Sequence, residues 1–150
     1  MEAVTRSVPN PRETSLGMVL KRAEQSLLRA KSAALKPVGL TLSQYVALSE
    51  LDRQPGITGA TLARASLVTP QAMMVVLKAL EEQGLIERSP HPRHANVLEL
   101  HITDAGNEAL DAARQRIAPV EKRILDAFSP REQALLGDLL TRWTEAIEGE

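Results

Sequence analysis

Residues 56–88 read GITGATLARASLVTPQAMMVVLKALEEQGLIER, and the order of signals in this stretch decides the fold. Thr58 can cap a short helix, Gly59 to Ala65, that turns Leu62 and Ala63 inward. Ser66-Leu67-Val68 makes a brief turn. Thr69-Pro70 then reads as an N-cap and a first-turn proline, whose missing N–H is no loss at that position. From Pro70 to Gln83, Met73, Val76, Leu77 and Leu80 recur at spacings of three and four and share one helix face. Gln71, Met74, Val75 and Lys78 fall on the opposite face, and Gly84 is the expected C-terminal stop. Two helices joined by a tight turn predict a helix-turn-helix. The second helix of such a pair fits the DNA major groove, its N-terminal residues meeting base edges.

Outward from this pair the period changes. Leu85 to Arg88 reads as a short strand, Ser89 to Asn96 as a loop with two prolines, and Leu98, Leu100 and Ile102 alternate as a second strand. A hairpin after a helix-turn-helix makes a winged helix. Upstream, Leu16, Val19, Leu20, Ala23, Leu27, Ala30 and Ala34 mark an amphipathic helix ended by Pro37 and Gly39. Thr41 opens the next helix with Gln44 as its capping-box partner, and Pro55-Gly56 ends it. Downstream, Thr103-Asp104 starts a long helix in which Pro119 is expected to produce a kink or a split. Ser129-Pro130-Arg131-Glu132 combines a cap, a first-turn proline and an N3 glutamate. The last helix carries Leu135, Leu136, Leu139, Leu140, Trp143 and Ile147. The expected fold is mainly α with a small β-hairpin. Residues 41–103 form the winged helix-turn-helix domain, 16–37 and 104–150 supply dimerisation helices, and 1–15 read as a flexible N-terminal arm. The apolar stripes of the terminal helices exceed what one small winged helix can cover, which predicts a homodimer.

Composition narrows the function classes. Of 150 residues, 43% are apolar and 25% charged, and no run approaches the ~18 apolar residues of a membrane span. With no signal-peptide core at the N-terminus, the expected location is cytoplasmic. The absence of cysteine removes disulfides, thiolate metal sites and thiol catalysis together. The net charge of −1 hides a gradient: residues 1–40 carry seven Lys/Arg against three acids, residues 103–150 six against ten. Residues 57–80 hold Arg64 and Lys78 and no carboxylate; residues 88–98 hold Arg88, His91, Arg93 and His94, again with none. An acid-free surface suits a polyanion. Tyr45, Phe128 and Trp143 are the only aromatics, too few for the stacking platforms that bind single strands, so the expected partner is double-stranded DNA.

GLTLSQYVALSEL (39–51), the stretch quoted above, and VLELHITDAG (97–106) together resemble the MarR family of bacterial transcriptional regulators, over roughly residues 16 to 148. The resemblance implies a homodimeric winged-helix regulator, a repressor on a palindromic operator, released by a small phenolic or aromatic carboxylate effector. It places the effector where the first, second and long fifth helices meet, which singles out Arg22, Gln25, Arg29 and Tyr45. One departure stands at the wing. The family pattern there is D-P-x-D-R-R; this chain has His91-Pro92-Arg93-His94-Ala95-Asn96, so both acids become histidines and the arginine pair is gone. Arg93 stands two residues early and is the candidate to replace it.

The expected DNA contacts are Arg64, Thr69, Gln71, Ala72, Met74, Val75 and Lys78 from the helix pair, with Arg93, His94 and Asn96 from the wing. No P-loop, nucleophile elbow or Gly-rich dinucleotide turn is present, so neither catalysis nor a cofactor is expected. His91, His94 and His101 lack the converging ligands of a zinc site, and no metal is expected. The rival reading is a winged-helix protein-interaction module that does not bind DNA.

Overall fold

The computed structural model describes residues 15–149; the expected arm, apart from Ser15, lies outside them. The elements run Leu16–Leu35 (α1), a 3-10 turn over Lys36–Val38, Leu42–Arg53 (α2), Gly59–Ala65 (α3), Pro70–Glu82 (α4), Ile86–Pro90 (β1), Leu98–Ile102 (β2), Asp104–Asp126 (α5) and Pro130–Glu148 (α6). Local signals set most boundaries. Thr41 and Gln44 form a reciprocal capping box, with Thr41 N donating to Gln44 Oε1 at 2.9 Å and Gln44 N donating to Thr41 Oγ1 at 3.1 Å. Gly39 ends the 3-10 turn at φ 71°, a left-handed conformation that glycine adopts without strain.

The core is aliphatic, as the shortage of aromatics dictates. Leu35, Leu48, Leu51, Leu62, Leu80, Leu100 and Leu110 are fully buried, so the end of α1, the winged helix and the start of α5 enclose one cluster. Arg114 of α5 donates to Asp52 of α2 at 2.6 Å, and this hydrogen bond raises the guanidinium pKa above its ordinary value. Lys31 of α1 pairs with Glu121 of α5. The start of α5 is stitched to the end of α4. Thr103 Oγ1 donates to the Gly84 carbonyl at 2.6 Å and accepts from Gly106 N, and Thr103 N donates to the Leu85 carbonyl. Gly106 passes so near that carbonyl that an added Cβ would stand 2.0 Å from Leu85 O.

Two expectations are corrected. The first strand continues through Ser89 and Pro90, which the sequence places in a loop. The antiparallel register pairs Ile86 with Ile102 and Pro90 with Leu98, and His91 N donates to Val97 O one step further. Pro90 therefore occupies a non-hydrogen-bonded position, where the N–H it lacks is not needed. The second concerns α5, which is not split: it runs as one helix through Pro119, with Ile117 and Val120 buried on either side.

Among the described residues no single helix is long and apolar enough to cross a membrane. Much apolar surface nevertheless stays uncovered. None of α6 is buried, and Leu135, Leu136, Leu139, Leu140, Trp143 and Ile147 all stand exposed, as do Leu16, Met18, Val19 and Leu28 of α1.

Candidate nucleic-acid interface

Thr58 Oγ1 caps α3 by accepting from Thr61 N, and Leu62 and Ala63 anchor the helix in the core. Arg64 points outward, its guanidinium donating to Thr61 Oγ1 at 3.2 Å. The chain then turns through Ser66–Val68, where Leu67 takes φ 55° and is 93% exposed. That left-handed residue lets Val68 N reach the Ala63 carbonyl and sets α4 at 111° to α3. Thr69 Oγ1 accepts from Ala72 N at 3.2 Å, and Pro70 opens the helix.

Met73, Leu77 and Leu80 hold α4 in the core, while Val76 is half-buried. This leaves Gln71, Ala72, Met74, Val75 and Lys78 on the outer face, with Met74 66% and Val75 71% exposed. No acid lies in the first turn, so the positive end of the helix dipole faces solvent unopposed. At the far end Lys78 Nζ lies 3.9 Å from Glu82, both well exposed, a contact of little strength.

The wing is the β1–β2 hairpin. Its tip exposes Arg93, His94, Ala95 and Asn96. The tip is not featureless: Arg93 N donates to His91 Nδ1 at 3.1 Å, and the rings of His91 and His94 lie 5.2 Å apart. Arg88 faces away from this role, since its Nε donates to Glu81 at 2.7 Å. The outer edge of β2 is tied to the turn before α3, with Gly56 N donating to Leu100 O and Leu100 N to Ile57 O. The wing is thereby fixed to the helix-turn-helix rather than hung from two strand ends.

The expected effector residues are more scattered. Arg22, Gln25 and Arg29 are exposed on α1, Arg29 donating to Ser26 Oγ, and Tyr45 is half-buried against the core. Two hollows lie along α1 and α5. One, of about 680 Å³, is walled by Leu20, Leu27, Ile124, Phe128 and Leu136. The other, of about 720 Å³, is walled by Ala30, Ala33, Pro37, Gln115, Arg116 and Arg123. None of Arg22, Gln25, Arg29 or Tyr45 is on either wall. Arg116 lines the second hollow and Arg123 lines both, and neither is among the residues singled out from the sequence. Their seven-residue spacing, which puts them on one helix face, was the available signal.

The MarR family profile matches residues 38–95. The HTH-type transcriptional repressor Rv2887 of Mycobacterium tuberculosis is 35% identical over 121 residues, which cover 81% of this chain and 87% of the relative. A structure of the transcriptional repressor CouR bound to a 23-mer DNA duplex aligns with a TM-score of 0.82 and 26% identity, over 90% of this chain and 96% of that one. A structure of the MarR family protein Rv2887 in complex with salicylic acid aligns with a TM-score of 0.69 and 32% identity, over 89% and 99%. Winged-helix architecture, family profile and a relative similar along most of both chains agree: this chain belongs to the MarR family of transcriptional regulators.

Proposed function

We propose that the protein is a DNA-binding transcriptional repressor and not an enzyme. It grips a palindromic operator as a homodimer in the bacterial cytoplasm and releases it when a small aromatic ligand binds. The observation that carries the reading is the outer face of α4: Gln71, Ala72, Met74 and Val75 stand exposed at an acid-free helix start, held there by the buried Met73, Leu77 and Leu80. Thr69 and Arg64 flank that face, Lys78 continues it, and Arg93, His94 and Asn96 extend it at the wing. The DNA-bound state of CouR and the salicylic acid complex of Rv2887 support the two halves of the proposal. The uncovered apolar faces of α1 and α6 support the dimer.

For the effector we place the carboxylate or phenolate at Arg116 and Arg123, in the hollow between α1 and α5, with Arg22, Gln25, Arg29 and Tyr45 as outlying positions. The test is binding to genomic fragments selected by the protein itself. Specific complexes should weaken steeply with salt, because phosphate contacts release counterions, and should dissociate when an aromatic carboxylate such as salicylate is added. Failure to select any duplex would favour the protein-interaction module instead.

A further inference from the structure

The hairpin register sets Glu87, Ser89 and His91 beside His101, Glu99 and Val97, and the strand alternation puts all six side chains on one face of the wing. Glu99 stands in the middle, its side chain mostly covered. Its Oε1 lies 3.5 Å from His91 Nε2 and its Oε2 3.3 Å from His101 Nε2. His91 Nδ1 accepts the backbone N–H of Arg93, which in the neutral ring leaves the proton on Nε2, the nitrogen facing Glu99. Contacts thus run unbroken from a backbone amide at the wing tip, through an imidazole, to a carboxylate and a second imidazole. The far end is seated. Glu99 and His101 pack over Gly56, where an added Cβ would lie 3.5 Å from the carboxylate and 3.7 Å from the imidazole. Gly56 is part of the turn already hydrogen-bonded to β2.

We propose that Glu99, clasped between His91 and His101, is a positioning residue that orients the Arg93 loop for the duplex and makes the wing's grip depend on pH. The proposal rests on the reading of the wing as a DNA contact. Imidazole changes charge between about pH 5 and 8. With both rings neutral the clasp carries one negative charge, on Glu99. With both protonated it carries one net positive charge, and its two contacts become ion pairs. The other charged groups near it are few. Glu87 lies opposite His101 in the register, and Arg93 and His94 lie at the tip. The turn contributes Pro55 and Gly56, which do not titrate; at the end of α2, Asp52 is held by Arg114 and Arg53 by Glu50. A phosphate chain therefore meets a clasp whose net charge differs by two between the neutral and the protonated rings, at a tip the clasp also orders.

Two measurements test it. In imidazole nitrogen spectra of the free protein at pH 8, His91 is expected as the Nε2–H tautomer, and Glu99→Ala, which removes the carboxylate facing both Nε2 atoms, is expected to shift the Nε2 signals of His91 and His101 together. For a selected operator duplex at fixed salt, the wild type is expected to bind about tenfold tighter at pH 6 than at pH 8. Glu99→Gln, which keeps the shape and loses the charge, should flatten that ratio to about threefold or less. An unchanged ratio in Glu99→Gln with unchanged imidazole spectra in Glu99→Ala overturns the clasp and leaves the DNA reading standing. A wild type that binds no duplex overturns the grip by removing its premise, while the spectra still report on the clasp.

Discussion

Gln71 follows the proline of α4 and stands exposed in its acid-free first turn, which makes it the side chain best placed to read a base. A glutamine can meet an adenine edge through two hydrogen bonds, so Gln71→Ala should lose about 1–3 kcal/mol on the selected operator and little on random DNA. Lys78→Ala should weaken both about equally, as a phosphate contact does. Competition binding with the two DNAs separates the roles, and an equal loss for Gln71→Ala would return that residue to simple solvation. A different kind of constraint acts at Gly106. Its backbone lies against the Leu85 carbonyl, and a methyl group there would also meet Ile102 Cγ2 at 2.6 Å. The helix start must shift to admit it, so Gly106→Ala is expected to cost about 3 kcal/mol, read as a lower denaturant midpoint with an unchanged slope.

At the scale of elements, α6 depends on its own termini because none of the other described residues buries it. Ser129 N donates to Glu132 at 2.8 Å, and this bond, with the Ser129 hydroxyl contact, holds the Glu132 carboxyl below the usual glutamate value. The folded value is depressed, so as pH falls the unfolded chain takes up the proton first. The contribution is present at neutral pH and is lost as acid passes through the folded value. Protection of the first-turn amides of α6 against hydrogen exchange, corrected for intrinsic rate, should therefore fall below about pH 5, and Glu132→Gln should flatten that fall.

Most of these elements were legible because each carries its own local signal: Thr41 with Gln44, Thr69 with Pro70, Ser129 with Glu132. What the sequence hid was relational. Whether Pro90 can sit in a strand depends on which of its neighbours are hydrogen-bonded, and that follows from a register fixed across the hairpin. Pro119 reads as a kink or a split, yet with Ile117 and Val120 buried on either side α5 continues through it as one helix. The stretch 88–98 is free of acids along the chain but not in space, since Glu81 reaches Arg88 and Glu99 reaches His91. The contacts of His91 with the Arg93 amide and with Glu99, and of Glu99 with His101, are hidden in the same way, because those to Glu99 form only once the register is set.

At the scale of the whole molecule, the exposed stripes of α1 and α6 need a cover, and the proposed dimer would supply it with a second copy of the chain. Light scattering should give twice the 16.3 kDa chain mass at micromolar concentration. The melting temperature should rise with protein concentration, since association stabilises the folded chain by mass action. A folded monomer at that concentration would sink the dimer. The surfaces proposed for pairing and for DNA lie in different parts of the chain: α1, α5 and α6 on one side, α4 and the hairpin on the other. That separation has a genetic consequence. A chain carrying Gln71→Ala and Arg93→Ala keeps every pairing residue, so in a cell that also makes the wild type it should enter mixed dimers with one competent half. Such an allele should be dominant, derepressing the operator from a plasmid in proportion to its dose, whereas an allele broken in α6 should be silent beside the wild type.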